Sequence, residues 1–238
     1  MEKKKTRIDI VIPTYNEEAN IEKVVIQWYH IVEKLNQQGN EAHLIIANDG
    51  SKDTTLEKLV SFQKQFKYLI PLDKENSGHG ATVLYLYRYS ISKGVNFIFQ
   101  TDSDGQTEPE EFWKMWRNRN NYDFQIGKRT NREDGISRII ISKILKAIVR
   151  ITLGVSVPDA NTPFRLMHAE PLKELITEIP EDFFLSNVAI SALALKKNYQ
   201  CKWIPITFNS RQGGVNSINL KRIFKIGTQA IVDFRKLD

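Results

Sequence analysis

The stretch Ile8-Asp-Ile-Val-Ile-Pro-Thr-Tyr-Asn-Glu-Glu18 decides the fold class of this chain. Its first five residues are mostly apolar and β-branched, Pro13 closes them, and apolar residues at helical spacing begin at Ile21. A short β-branched run that ends at a breaker predicts a buried strand, and the helical spacing predicts an amphipathic helix over 21–35. The opening therefore predicts a strand, a polar turn and a helix.

The same succession repeats along the first hundred residues. Further strands are predicted at 42–47, 68–72 and 95–101, with helices that begin near Leu56 and cover about 81–92. Alternating strands and helices indicate βαβ units and a mostly parallel sheet flanked by helices, an α/β fold. Right-handed crossovers would bring the carboxyl ends of the strands to one edge, where open α/β sheets bind ligands.

A polar cluster follows each predicted strand at that edge: residues 14–18, 48–53, 76–80 and 102–106. Asp102 and Asp104, two residues apart after a buried strand, would project to the same side and hold a hard divalent cation, Mg²⁺ or Mn²⁺. An ordinary solvated turn is the competing interpretation of the same pair. For Glu17 and Asp49 the alternatives are hydrogen bonding to a nucleotide and helix capping, which Asn20 and Asp53 could perform instead.

The second half of the chain is less regular but predicts no separate domain. A strand at 122–127, a helix over 139–155, a turn-rich segment at 159–165 and a helix over 183–197 precede a strand at 201–208. Pro205 assigns that last strand to a sheet edge, because proline cannot donate to a ladder. A loop at 211–219 and a final helix from Leu220 complete one domain over 1–238 with accessory C-terminal helices.

Composition narrows the class of protein. The 238 residues are 41% hydrophobic and carry a net charge of +6, which excludes disordered and collagen-like chains and favours anionic partners. Cys201 is the single cysteine, so no internal disulfide is expected. The sequence also predicts no signal peptide, no membrane span and no nucleic-acid partner, since basic and aromatic residues do not interleave. Walker A and G-x-S-x-G motifs are absent.

At this point the chain resembles glycosyltransferase family 2 with the GT-A fold. The resemblance rests on five blocks in order along nearly the whole chain, at residues 10–18, 48–53, 76–80, 102–106 and 211–217. The block at 102–106, together with Asp159-Ala-Asn-Thr-Pro-Phe-Arg165, is most similar to the polyprenyl-phosphate (dolichyl-phosphate) sugar transferase branch.

The resemblance implies an inverting hexosyltransferase that uses a UDP- or GDP-linked sugar. It implies that residues 1–127 bind the donor and residues 128–238 bind the acceptor. Asp102 and Asp104 would hold the metal on the donor diphosphate, with Ser103 beside them. Other implied donor contacts are Pro13, Tyr15, Glu17, Asp49 and Gln106, and Arg129 and Arg211 match positions that contact phosphate.

The acceptor stays open between two chemistries. A glycan hydroxyl needs a carboxylate base, for which Asp159 and Asp182 are the candidates. A polyprenyl phosphate is already ionised and needs cations instead, and the sequence supplies Lys128, Arg129, Arg132 and Arg138. Two alternatives of other kinds are a nucleotidyltransferase and a non-catalytic nucleotide-sugar binder.

A cytoplasmic protein at the inner membrane face is the expected location. The helix over 139–155 carries Lys143, Lys146 and Arg150 on an otherwise apolar pattern, and the last helix combines basic and apolar residues. Such helices lie in a headgroup plane or form a core helix with one wetted stripe. Peripheral contact with the membrane, or anchoring by a membrane subunit, follows from the first interpretation.

Overall fold

A single seven-stranded sheet runs through the described chain. The computed structural model describes residues 5–130, 136–159, 161–209, 230 and 234, with the backbone alone for 136–143. The strands are β1 (Arg7–Thr14), β2 (Glu41–Asp49), β3 (Leu69–Lys74), β4 (Phe97–Gln100), β5 (Phe124–Arg129), β6 (Arg165–His168) and β7 (Cys201–Ile206).

The sheet is mostly parallel and has the order β3-β2-β1-β4-β6-β5-β7. Strands β1 to β4 pair with one another in parallel, as the alternating pattern predicts. Strand β6 runs antiparallel to both β4 and β5. Strand β7 pairs in parallel with β5 and forms the sheet edge, the position that Pro205 predicts for it.

Helices cover both faces of the sheet. They are α1 (Ile21–Gln37), α2 (Thr55–Gln63), α3 (His79–Ser92), α4 (Phe112–Trp116), α5 (Ile136–Leu153), α6 (Ala169–Thr177) and α7 (Ser186–Lys196). Residues of α1, α2 and α4 pack on one face, and residues of α3, α5, α6 and α7 pack on the other. Alternate residues of β1 pack into the two hydrophobic cores, one on each face of the sheet. Ile10 and Ile12 pack in the first core, with α1, α2 and α4, and Val11 packs in the second.

The α/β fold class is confirmed, and the largest departure from the sequence prediction lies between residues 165 and 177. Strand β6 and helix α6 occupy a stretch for which the sequence predicts only a turn-rich segment ending at Arg165. Strand β6 reads Arg-Leu-Met-His, without β-branched residues, so local propensity gives little strand signal. It forms because its backbone completes the ladders of two neighbouring strands.

Helix α5 also differs slightly from the prediction of 139–155. It begins at Ile136 and ends at Leu153, where Gly154 takes a positive φ of 70°. Glycine accepts this left-handed conformation without a steric cost, so it ends helices efficiently. The loop at 211–219 and nearly all of the helix from Leu220 lie outside the described residues, although Ala230 and Phe234 are helical and buried, and Phe234 contacts Phe183.

Candidate active site

The carboxyl ends of β1, β2 and β4 and the first turn of α3 enclose a cavity of about 370 Å³. The edge at which ligands are predicted to bind is therefore the edge that carries the cavity. Its lining is polar and acidic, and it consists of Pro13, Thr14, Tyr15, Glu17, Asp49, Asn76, Gly78, His79, Thr82, Asp102, Ser103 and Asp104. Seven residues predicted from the sequence to contact donor or metal thus share one cavity: Pro13, Tyr15, Glu17, Asp49, Asp102, Ser103 and Asp104.

The acidic pair lies directly after β4. Asp104 accepts a hydrogen bond from the backbone N–H of Gln106 at 3.2 Å, and Gly105 turns the chain with a positive φ of 69°. The turn that the competing interpretation proposes is therefore present. Asp102 and Asp104 also line the cavity. The side chain of Asp102 is 26% exposed, so part of its carboxylate faces the cavity.

This donor set fits a hard divalent ion. Carboxylate oxygens suit Mg²⁺ and Mn²⁺. Among the described residues, however, no group of three or more histidine, cysteine, aspartate or glutamate side chains is arranged to hold a metal. A cation here would take Asp102 and Asp104 from the protein, with its other ligands from water and phosphate oxygens, which is how magnesium is commonly bound beside phosphates.

His79 lies against the acidic pair from the first turn of α3. Its Nε2 is 3.1 Å from Oδ1 of Asp102, and the imidazole is half exposed. Partial burial alone would lower the pKa of His79, but attraction to Asp102, and more weakly to Asp104 and Asp49, raises it. The neighbouring carboxylates therefore favour the protonated form of this imidazole.

Asp49 organises the loop that precedes α3. Its Oδ1 accepts hydrogen bonds from Lys74 Nζ at 2.5 Å and from the Ser77 N–H at 2.9 Å, and its Oδ2 accepts one from the Gly78 N–H at 2.9 Å. Burial would raise the pKa of Asp49, but these donors, with Lys74 foremost, hold it below its usual range. Asp49 is thus an ionised anchor for this loop as well as part of the cavity wall.

The loop between β1 and α1 places Glu17. Asn16 adopts a positive φ of 52°, and Ser51 Oγ accepts a hydrogen bond from its N–H at 2.9 Å. Thr55 Oγ1 accepts a hydrogen bond from the N–H of Glu17 at 2.9 Å. The expectation that Asn20 caps α1 is wrong, because its side-chain amide donates to Glu17 Oε2 at 2.8 Å instead.

The N-cap residue of α2 is Thr54, which makes no side-chain cap hydrogen bond, and Asp53 lies one residue before it. Oδ1 of Asp53 accepts hydrogen bonds from the backbone N–H of Thr55 at 3.0 Å and from its hydroxyl. Because Asp53 satisfies this helix start, Asp49 is not needed as a cap. The carboxylate of Asp49 binds the loop before α3 instead.

The remaining predicted residues lie outside this cavity lining. Arg129 forms a two-pronged ion pair with Asp159, Nε to Oδ2 at 3.0 Å and Nη2 to Oδ1 at 2.9 Å, and Asp159 is 3% exposed. Gln106 is buried and donates its amide to the carbonyl of Asn209 at 2.7 Å. Asp182 is exposed in the loop before α7. Arg211 lies outside the described residues.

Comparison with known proteins shows the family of this chain. The family model described as glycosyl transferase family 2 matches residues 9–176, which is more than half of the chain. The chain belongs to that family. It is a glycosyltransferase, as the resemblance implies.

Two curated relatives are named for transfer to lipid phosphates. This glycosyltransferase is 24% identical to polyprenol monophosphomannose synthase of Mycolicibacterium smegmatis, over 88% of this chain and 80% of that protein. It is 22% identical to dolichyl-phosphate β-glucosyltransferase ALG5D of Trichomonas vaginalis, over 92% of this chain and 70% of that protein. The predicted likeness to the polyprenyl-phosphate branch is thereby confirmed.

Solved structures show the same GT-A fold. Glucosyl-3-phosphoglycerate synthase of Mycobacterium tuberculosis, crystallised with Mn²⁺, UDP and glucosyl-3-phosphoglycerate, matches the glycosyltransferase with a TM-score of 0.69. The two are 17% identical, and the match covers 98% of this chain and 80% of that chain. A crystal structure of the same synthase with Mn²⁺, UDP-glucose and phosphoglyceric acid has the same TM-score. At this identity the likeness establishes the fold.

Sequence reasoning missed Lys74 as a site residue and treated His79 only as a position in the loop. Lys74 is the last residue of β3, and its ammonium contacts Asp49, Ser77 and the carbonyl of Glu75. The sequence signal for Lys74 as a site residue was its position just after the predicted strand at 68–72, next to three polar residues at 75–77. No pattern in one strand reveals that Lys74 meets a carboxylate on the neighbouring strand.

A substitution at Gly80 tests how closely the loop before α7 packs against the first turn of α3. A Cβ at this position would lie 2.3 Å from the carbonyl oxygens of both Phe183 and Phe184, so the loop before α7 packs directly on the first turn of α3. We expect Gly80→Ala to lower the free energy of unfolding by about 1–3 kcal/mol, the usual cost of overpacking. Urea denaturation followed by tryptophan fluorescence measures the loss.

Gly39→Ala is the matched control. Gly39 has a positive φ of 85°, but a Cβ there would have no atom outside its immediate chain neighbours within 4 Å, so this variant adds backbone strain of about 1 kcal/mol without a clash. In Gly80→Ala the loop before α7 must also move away from α3. Limited proteolysis near residues 181–185 should therefore become faster. Equal proteolysis of the two variants would contradict the close packing at Gly80.

Proposed function

We propose that the protein transfers a hexose from a UDP- or GDP-linked sugar to a polyprenyl phosphate, with a divalent cation and with inversion at the anomeric carbon. The observation that carries this proposal is the single cavity shared by Asp102, Asp104, Glu17 and Asp49. The names of the curated relatives support the lipid-phosphate acceptor, and the Mn²⁺ and UDP in the structural relative support the donor and metal.

The donor is held by side chains that differ in chemistry around the cavity. Tyr15 is 43% exposed at the rim, where its ring can lie against a nucleobase. Glu17 and Asp49 provide acceptors for base or ribose hydrogen bonds, although Asp49 already accepts three from the protein. A donor bound by these residues would extend its diphosphate toward Asp102 and Asp104, which line the same cavity.

Departure of the nucleotide leaves growing negative charge on the diphosphate. Mg²⁺ or Mn²⁺ held by Asp102 and Asp104 would neutralise that charge, an effect worth several kcal/mol in a preorganised site. His79 lies beside the acidic pair, where its protonated form would add positive charge. Inversion requires only that the acceptor oxygen reach the anomeric carbon from the side opposite the diphosphate.

The positions of the two candidate bases favour a phosphate acceptor. Both carboxylate oxygens of Asp159 bind Arg129, and Asp182 is exposed and is not one of the residues that line the cavity. A phosphate monoester, with a second pKa near ~6, needs no base to become nucleophilic at neutral pH. Three of the five N–H donors of Arg129 are not used by Asp159, so this guanidinium remains able to bind phosphate.

A membrane-facing surface accords with a lipid acceptor. On α5, Ile151 is 83% exposed and Ile144 is 36% exposed, next to the exposed cations Lys146 and Arg150. Leu145, Ile148, Val149 and Leu153 of the same helix are buried. Apolar and basic side chains exposed together suit the headgroup region of an anionic membrane. In the part of the chain that the structure describes, no helix meets the length and hydropathy that a bilayer crossing requires.

We propose accordingly that α5 rests on the cytoplasmic face of the membrane and brings the cavity to its lipid acceptor. This contact is peripheral and reversible, since one helix face buries limited apolar area. Binding to a membrane subunit would be another way to bring the cavity to the membrane.

Replacing Asp104 tests the catalytic role of the acidic pair. Asp104→Ala should lower kcat/KM about a thousandfold, or about 4 kcal/mol, because the diphosphate charge is then poorly neutralised. Binding of the nucleotide without metal should change little, and isothermal titration measures it alongside transfer of radiolabelled sugar. Glu110→Ala, which removes an exposed carboxylate outside the cavity, is the control and should retain activity. Turnover preserved in Asp104→Ala would refute metal-assisted transfer, and an inactive wild type that still binds the sugar nucleotide would point to a non-catalytic binder.

The acceptor chemistry is tested at Asp182. With a short-chain polyprenyl phosphate, Asp182→Asn should keep kcat within about twofold, because an ionised phosphate needs no general base. A loss of about 100-fold or more would match removal of a base and would favour a glycan hydroxyl as acceptor. The measurement is single-turnover transfer at saturating donor, with circular dichroism to verify folding.

Vesicle sedimentation tests the membrane contact. Ile151→Glu should weaken binding to vesicles of phosphatidylcholine and phosphatidylglycerol about tenfold, since burying an isoleucine is worth about 1.5–3 kcal/mol. Ile26→Glu on α1, where Ile26 is 49% exposed, is the matched control and should bind like the wild type. Equal loss in both variants would mean that α5 is not the membrane surface.

A further inference from the structure

A chain of buried polar side chains runs from α7 through the second core to the acidic pair. Its members are Arg165 on β6, Asn187 on α7, Tyr87 on α3 and Gln100 on β4, each no more than 2% exposed. Arg165 donates to the backbone carbonyl of Asn187, the Tyr87 hydroxyl donates to Gln100, and Gln100 reaches Asp102. The Tyr87 hydroxyl also lies 3.4 Å from Oδ1 of Asn187, but its single proton serves the shorter bond to Gln100. The site described above makes no other use of these four residues.

Gln100 is the link to the cavity. Its Nε2 lies 3.4 Å from Oδ1 of Asp102, a long hydrogen bond, and its Oε1 accepts a shorter one of 2.8 Å from the Tyr87 hydroxyl. An ionised carboxylate only accepts hydrogen bonds, so the amide must turn its NH₂ group toward Asp102. The Oε1 atom then faces Tyr87, whose hydroxyl is the donor that this orientation requires.

Arg165 anchors the other end of the chain. Its guanidinium is fully buried and donates to the Thr162 carbonyl at 2.7 Å, the Asn187 carbonyl at 2.9 Å and the Ser191 hydroxyl at 3.0 Å. Burial lowers the pKa of Arg165 to about 10, which leaves it charged at neutral pH. Gln100 and Arg165 are direct cross-strand partners, so this positive charge lies one strand from the acidic pair.

A purely structural account leaves this arrangement unexplained. Burying a guanidinium and three polar side chains costs desolvation energy, and apolar residues of the same volume commonly give equal or greater stability. The chain is not closed within the core, because it ends on a carboxylate that faces the cavity. Hydrogen bonds behind a metal ligand orient that ligand.

We propose that Gln100 and Tyr87 are positioning residues that hold the Asp102 carboxylate in the orientation that binds the divalent cation. Tyr87 acts through Gln100, and Arg165 is the cross-strand partner of Gln100. This inference rests on the proposed function, because it concerns the metal that the donor diphosphate would share. Loss of the chain should therefore weaken metal binding more than nucleotide binding or stability.

Mn²⁺ affinity in the presence of saturating UDP or GDP is the direct readout, and the electron paramagnetic resonance signal of free Mn²⁺ measures it. Tyr87→Phe removes one hydroxyl from the chain and should weaken Mn²⁺ binding about tenfold, as changes behind metal ligands commonly do. Gln100→Leu should weaken it to a similar extent. The double variant should lose no more than the single ones, because both changes cut the same connection.

Tyr29→Phe is the matched control. Tyr29 is 6% exposed, and its hydroxyl accepts a hydrogen bond from the Tyr68 N–H at 3.5 Å, so the variant also removes one buried tyrosine hydroxyl. Its Mn²⁺ affinity should equal that of the wild type even if its melting temperature falls. Nucleotide affinity without metal should be the same in all variants.

Wild-type Mn²⁺ affinity in Tyr87→Phe would overturn the inference and leave the proposed function intact. A fully additive loss in the double variant would also overturn it, because Tyr87 would then act independently of Gln100. If Gln100→Leu does not fold, Tyr87→Phe against Tyr29→Phe decides. A wild type that binds no Mn²⁺ with either nucleotide would refute the proposed function itself, and this inference with it.

Discussion

Four carboxylates, those of Glu17, Asp49, Asp102 and Asp104, line one cavity at one edge of the sheet, and this concentration of acidic groups is the constraint on which the site depends. They converge because β1, β2 and β4 are parallel neighbours, so the segments after each strand open on one cavity. Each carboxylate has a different set of neighbouring donors.

Asp49 is neutralised from within by Lys74 and two backbone N–H groups, which turns it into an anchor for the start of α3. Glu17 is 8% exposed and accepts a hydrogen bond from the side-chain amide of Asn20. Asp102 lies beside the half-exposed His79, and the buried Arg165 is one strand away. Asp102 and Asp104 line the part of the cavity where the proposed function would place a metal-bound diphosphate.

The sequence predicts most of the sheet and much of the cavity, because both depend on local patterns. The strands over 8–12 and 42–47 are mostly apolar runs, and the polar residues after them are adjacent in the chain. The features that the sequence does not predict depend on contacts between residues that are distant in the chain. Strand β6 forms through its two neighbours, and the Gln100–Tyr87 hydrogen bond joins a strand to a helix. Asp159 could not be recognised as the partner of Arg129, since 30 residues separate them.

An anomalous difference map of crystals grown with Mn²⁺ and UDP, collected near the manganese edge, tests the central claim most directly. The account predicts one strong peak in the cavity, about 2.0–2.2 Å from carboxylate oxygens of Asp102 and Asp104 and beside the diphosphate. A bound nucleotide whose diphosphate lies away from these two residues, or a manganese peak elsewhere, would contradict it.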